Sequence, residues 1–244
     1  MISKNMLKEL AAYRMQKRCD EDGVFVVEGV KMASEALKSG LPIRVICATS
    51  EWLASNADQI GSSTSCYEVS ASELERLSAM HSPNHVWMLM QRKTVVAPHR
   101  SALTLALDRL QDPGNMGTIM RTADWYGIRH IVCSQDTVGC YNAKTVQATM
   151  GAVFRTQVEY VDLPQWLQHC HIPVYGASLH GKPLSEVPKP THEAVLLIGN
   201  ESRGISPEAM NAVTYPILIP NMGGTAESLN ASVAAGILIN HLLN

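Results

Sequence analysis

From Leu103 onward the chain alternates short apolar runs with amphipathic stretches, and this rhythm narrows the possible fold more than any other feature of the sequence. LTLALD, IRHIVC, TQVEYV, PVYGAS, AVLLIG and YPILIP read as strands; TIMRTADWYG, AKTVQATMG, PQWLQHC, a short stretch near Ser206 to Val213 and the C-terminal stretch read as helices. Such alternation predicts a parallel sheet covered by helices. Ligands of such sheets collect at the carboxyl edge, which directs attention to the strand exits after Leu107, Ile198 and Ile219.

The preceding residues follow a different pattern. A basic helical stretch from about Lys4 to Arg18 leads to a strand-like GVFVVEG, a helical VKMASEALKSG, strand IRVICA, helical ASELERLSAM and strand HVWMLM. That is enough for a small separate α/β domain. Polar QRKTVVAPHRSA reads as the connection, so the expected organisation is a domain over 1–92, a linker over 93–102 and a second domain over 103–244.

Composition constrains the partners. The formal net charge of -2 gives no global attraction to nucleic acid or to an anionic membrane, so any RNA site must be local. Lys4, Lys8, Arg14, Lys17 and Arg18 meet only Glu9 in their stretch, which suits either a phosphate-binding patch or a solvated helix face. The six cysteines form no C-x-x-C pair, the N-terminus lacks the pattern of a signal peptide, and no apolar run approaches the roughly 18 residues of a membrane span. A reduced, cytoplasmic protein is expected.

The three exits share a character. DRLQDPGNMG, GNESRGIS and PNMGGTAESLN are each rich in Gly and carry Asn beside an acidic residue or Arg. Common alternatives fail. No G-x-G-x-x-G occurs, and Gly176 to Lys182 has P-loop spacing but continues with Pro183 where a Ser or Thr would hold magnesium, so it reads as a turn. Ser202 lies outside a G-x-S-x-G elbow. His169-Cys170-His171 has no second pair to complete a metal site, and His81 with His85 reads the same way, so no metal is expected.

Taken together and in order, DPGNMGTIMRTADWYG, LLIGNESRGIS and ILIPNMGGTAESLNASVAAGI resemble the three motifs of the SpoU/TrmH family of RNA ribose 2′-O-methyltransferases, within the SPOUT superfamily. FVVEGVKMASEALKSGLPIRVI is similar to that family's N-terminal substrate-binding domain. The resemblance implies an α/β protein in which a C-terminal parallel-sheet domain with a deep trefoil knot follows a small α/β, ribosomal-protein-like substrate-binding domain. It also implies a homodimer that methylates structured RNA, rRNA in preference to tRNA, with S-adenosyl-L-methionine as cofactor. By motif position, Asn115, Arg121, Glu201, Ser228 and Asn230 would be the catalytic residues. Ile198, Gly199, Ile219, Pro220 and Leu229 would hold the cofactor, largely through backbone. The third motif departs from the usual form: Asn221 and the Gly223-Gly224 pair lengthen the approach to Ser228. A non-catalytic RNA-binding or cofactor-sensing protein on the same fold is the alternative, and the presence of all five polar motif residues argues against it.

Overall fold

A computed structural model describes residues 2–80, 85–94 and 102–244. Most of the expected 93–102 linker, and His81, lie outside the described residues. The elements in chain order are α1 (Lys4–Ala11), α2 (Gln16–Glu21), β1 (Val24–Glu28), α3 (Val30–Lys38), β2 (Ile43–Ala48), α4 (Ser50–Asn56), β3 (Ser65–Glu68), α5 (Ala71–Leu77) and β4 (Val86–Gln91). There follow β5 (Leu103–Leu107), α6 (Pro113–Trp125), β6 (His130–Ser134), α7 (Ala143–Ala148), β7 (Gln157–Val161), α8 (Leu163–His169), β8 (Val174–Pro183), β9 (Ala194–Ile198), α9 (Pro207–Met210), β10 (Tyr215–Leu218) and α10 (Ala231–Leu243).

These elements form two compact units, Met1–Thr94 with Tyr141–Phe154, and Val95–Cys140 with Arg155–Asn244. In the first, a sheet of order β1-β4-β2-β3 is antiparallel except for the β2/β3 pair. Leu7 and Leu10 of α1 pack with Leu74 and Leu77 of α5 and with Trp87 and Leu89 of β4. Ser3 starts α1 by accepting from the Met6 amide at 3.2 Å, and Ser70 with Glu73 closes a reciprocal capping box on α5. The segment 141–154 belongs to this unit by its contacts. The Tyr141 and Phe154 rings lie 4.7 and 6.2 Å from that of buried Phe25, and Gln147 Nε2 donates to the Glu28 carbonyl at 2.8 Å.

The second unit is a six-stranded parallel sheet of order β10-β8-β9-β5-β6-β7. β6 and β9 are buried along their whole length, as their unbroken apolar runs require when helices cover both faces. Leu107 lies opposite Ile198, so β5 and β9 end level. From β5 the chain proceeds through α6 to β6 on one side, whereas from β9 it proceeds through α9 to β10 on the other. The sheet therefore reverses its winding between β5 and β9, and the carboxyl ends at such a reversal are where ligands of parallel sheets bind.

Two expectations are corrected. Gly176 to Lys182 is not a turn but part of β8: Tyr175 and Gly176 pair with Tyr215 and Pro216, then the register jumps so that Lys182 and Pro183 pair with Ile217 and Leu218. The β10 backbone passes so close to Gly181 that an added Cβ would lie 2.5 Å from the Pro216 carbonyl carbon, so the turn-like glycine marks a close approach of two strands. Helix α6 begins at Pro113 rather than near Thr118, because Asp112 caps it and Pro113 occupies the first helical position.

Candidate active site

The cap of α6 fixes the first motif. Asp112 Oδ1 accepts from the Asn115 amide at 2.7 Å, which locks Asn115 into the first turn with its side chain buried. Asn115 Nδ2 donates to Glu201 Oε1 at 3.0 Å, and the amides of Asp112 and Gln111 reach the same carboxylate at 3.2 and 3.4 Å. Burial works to raise the Glu201 pKa, but the bonds donated by Asn115 and by the Asp112 and Gln111 backbone outweigh it and hold the carboxyl below its ordinary range. Glu201 is therefore ionised at neutral pH and acts as an acceptor only.

That charge sets the direction of a relay. Because Glu201 can only accept, Asn115 must turn its NH₂ toward it and its oxygen away. The oxygen accepts from Asn230 Nδ2 at 2.9 Å. Asn230 is left with its own oxygen, which caps α10 by accepting from the Ser232 and Val233 amides at 2.9 and 3.4 Å. Residues from all three motifs are thus joined in one line, Asn230 to Asn115 to Glu201. The line ties the starts of α6 and α10 together, and Tyr126 Oη donating to Asn240 Oδ1 at 2.9 Å ties the two helices again near their ends. They run side by side in the same direction.

The second motif is a closed turn. Asn200 and Gly204 exchange backbone hydrogen bonds of 3.0 and 2.9 Å, and Asn200 Oδ1 accepts from the Ser202 and Arg203 amides at 3.0 Å each. Gly199 sits so tightly in this turn that an added Cβ would lie 2.2 Å from Gly204 carbon and Ile205 nitrogen. Asn200 Nδ2 also donates to the Arg109 carbonyl at 2.8 Å, and the Ser206 amide donates to buried Asp108 at 2.6 Å. The exits of β5 and β9 are therefore stitched together. Asp108 and Asp112 do this work with Asn200, the Asn of the second exit; the Asp-Pro pair that opens α6 is the local signal for Asp112.

Arg121 lies on the exposed side of α6, about 9 Å along the axis from Asn115 at the usual helical rise, and makes no hydrogen bond or ion pair among the described residues. Ser228 and Leu229 are exposed immediately ahead of the Asn230 cap. Ile198 and Gly199 are buried at the end of β9, whereas Ile219 is half-buried and Pro220 exposed beyond the end of β10. Asn221 organises the long third loop internally: its oxygen accepts from the Gly223 and Gly224 amides at 3.0 and 2.7 Å, and its nitrogen donates to the Gly224 and Ala226 carbonyls at 3.0 and 3.3 Å. In the first unit Lys4, Lys8, Arg14, Lys17 and Arg18 are all exposed, but Lys17 and Arg18 are paired with Glu21, and Arg18 also with Asp22 at 3.0 Å.

Residues 102–240 match the SpoU rRNA Methylase family, and residues 4–87 match the MRM3-like substrate binding domain. The chain belongs to the SpoU rRNA methylase family. Family members of full length resemble it throughout. The 23S rRNA (guanosine(2553)-2′-O)-methyltransferase RlmP of Bacillus subtilis is 28% identical over 242 residues, which is 97% of this chain and 95% of that one. Among solved structures, one described as an RNA methyltransferase of the TrmH family from Porphyromonas gingivalis has 35% identity and a TM-score of 0.88, covering 99% of this chain and 98% of its own. An AdoMet-bound rRNA methyltransferase from Sinorhizobium meliloti has 28% identity and a TM-score of 0.86, covering 99% and 95%. Among the described residues no helix is long and apolar enough to cross a membrane, and no group of three or more potential metal ligands occurs.

Proposed function

We propose that this SpoU-family protein transfers a methyl group from S-adenosylmethionine to a ribose 2′-oxygen of ribosomal RNA. The observation that carries the reading is the relay from Asn230 through Asn115 to Glu201 beyond the ends of β5 and β9, with Arg121 making no hydrogen bond or ion pair among the described residues on the helix that starts there. The donor set suits this cofactor. Gly199 lets the Gly204–Ile205 backbone close against it, and a turn built so largely of backbone would receive an adenosine without the cationic cradle of a phosphate site. Ile198, Gly199, Ile219, Pro220 and Leu229 would hold it.

When bound, the cofactor would supply a methyl carbon on a sulfonium: as the O–C bond forms, the C–S bond breaks with its electron pair staying on sulfur, and the 2′-hydroxyl proton passes to solvent water. The protein's part is to orient the 2′-oxygen and stabilise charge on it. Arg121 remains protonated at neutral pH, which fits it to grip a substrate phosphate or to stabilise the developing alkoxide rather than to accept a proton. Ser228, beside the relay in sequence, adds a neutral hydroxyl for the ribose. Lys4, Lys8 and Arg14, which have no salt bridge among the described residues, serve as RNA phosphate contacts, with Lys17 and Arg18 available if their acidic partners release them.

The protein acts as a homodimer. Met222, Val233 and Ile237 are exposed apolar residues on the third loop and α10, and a second copy would cover them. The C-terminal domain carries the trefoil knot of its family, and the cytoplasm is where its RNA is met. Replacement of Arg121 by Ala tests the enzymatic reading: methyl transfer to rRNA should fall by at least about 100-fold, in the range seen for loss of a charge-stabilising group, while calorimetry shows unchanged cofactor affinity. Parallel loss of both would remove Arg121 from the reaction and place it in cofactor binding.

A further inference from the structure

Among the described residues, three that are not glycine hold a positive φ: Arg109 at 57°, Met150 at 48° and His171 at 49°. Met150 and His171 stand one residue past the caps of α7 and α8, where helices commonly end in the left-handed conformation. Arg109 follows a strand instead, two residues past the end of β5, and the exits of β6 and β9 hold it there. Its amide donates to Ser134 Oγ at 2.8 Å, and its carbonyl accepts from Asn200 Nδ2 at 2.8 Å. Glycine would take up this backbone freely, whereas a residue with a Cβ resists it. The fold recovers little from the side chain in return. The guanidinium donates no hydrogen bond among the described residues, its Nε is buried, and its one ion pair there, Nε to Asp108 Oδ1, spans 3.6 Å. Asp108 makes its closer bond elsewhere, with Oδ2 accepting from the Ser206 amide at 2.6 Å.

The residues assigned to the cofactor, Ile198, Gly199, Ile219, Pro220 and Leu229, are all uncharged, yet S-adenosylmethionine ends in a carboxylate. A carboxylate that leaves water needs donors, and a cation serves it best. Arg109 adjoins that wall on both sides of its own backbone: the Asp108 amide donates to the Ile198 carbonyl at 2.8 Å, and Asn200, which holds the Arg109 carbonyl, directly follows Gly199. Resting on the RNA methyltransferase reading above, we propose that the Arg109 guanidinium binds the carboxylate of the cofactor's methionine portion. Its planar fork suits a carboxylate, it stays charged at every working pH, and its side chain is 30% exposed, so a ligand can reach it. Backbone strain of this kind collects at ligand sites, where the side chain has a use outside the fold.

The test uses calorimetry on the full-length wild type, Arg109→Gly and Arg109→Asn with two ligands, S-adenosylmethionine and decarboxylated S-adenosylmethionine, which lacks only the carboxylate. Glycine and asparagine both accept the left-handed backbone, so each removes the guanidinium while keeping the turn. The wild type should bind the complete cofactor about tenfold more tightly than the decarboxylated one, and both variants should lose that preference while binding the decarboxylated ligand as the wild type does. A preference retained in either variant overturns the proposal. Equal weakening of both ligands overturns it too, by assigning Arg109 to the shape of the wall, as does weaker binding of rRNA with the preference intact, which assigns the guanidinium to a phosphate. Unfolding of both variants would make the guanidinium a part of the fold and also overturns it. If the wild type binds neither ligand, the methyltransferase reading fails as well; if it binds both equally, only the role of Arg109 falls.

Discussion

At the scale of single residues, the site is ordered by one charge. Glu201 only accepts, which orients Asn115, which orients Asn230, which caps α10. Asn230→Asp separates the two jobs of that residue. A carboxylate caps a helix as well as an amide does, so α10 keeps its start. It offers no NH₂ to the Asn115 oxygen, however, and sets two acceptors against each other. Methyl transfer should fall steeply in this variant while thermal unfolding shifts by only a few degrees, whereas full activity would show that the relay is ornamental. Glu201 also makes a signed contribution to stability. Its folded pKa is depressed, so its stabilisation is present above the unfolded value of about 4.3 and is lost as pH falls through the folded value. Urea unfolding of Glu201→Gln should therefore show a smaller gap from wild type at pH 3 than at pH 7; an equal gap at both would mean that the carboxylate gains nothing from its donors.

These residues were legible only in part. Asn115, Arg121, Glu201, Ser228 and Asn230 stand out because three motifs recur in order, yet no spacing reveals that Asn115 touches both of the others. They are 86 and 115 positions away along the chain, and only the level ends of β5 and β9 and the parallel run of α6 and α10 bring them together. Asn221, which with Gly223 and Gly224 lengthens the third motif, has both polar atoms of its side chain engaged with the loop's own backbone.

At the scale of elements, periodicity foretold the strands and helices of the second unit, and it failed where a neighbour rather than local sequence decides conformation. GASLHGK has the composition of a turn, but β10 pairs along its far end and Gly181 admits the crossing backbone. SCYE of β3 escaped notice because a half-exposed edge strand needs no apolar alternation, only a partner, which β2 supplies. Gly199 fixes the shape of the second-motif turn. In Gly199→Ala the new methyl group meets backbone that cannot move without opening the Asn200–Gly204 turn. Calorimetry should show cofactor binding lost or weakened by at least about tenfold, with destabilisation of roughly 1–3 kcal/mol typical of overpacking. Wild-type affinity in a fully folded Gly199→Ala protein would exclude this turn as a cofactor wall.

At the scale of the whole molecule, the division of labour is broader than the sequence suggests. The return of Tyr141–Phe154 to the first unit is not legible in the sequence. AKTVQATMG has the helical pattern of any covering helix, and nothing in it announces that its neighbours will be Phe25 and Glu28 rather than the strands before and after it. The substrate-binding and catalytic units are thus interleaved in the chain, each with its own sheet. Purified protein is incubated with labelled S-adenosylmethionine and 23S rRNA from a strain lacking the gene, and the RNA is digested to nucleosides for mass spectrometry. A single 2′-O-methylated nucleoside, absent when Arg121→Ala replaces the wild type, is the expected product; label on a base, or no label on RNA while the cofactor is bound, would contradict it.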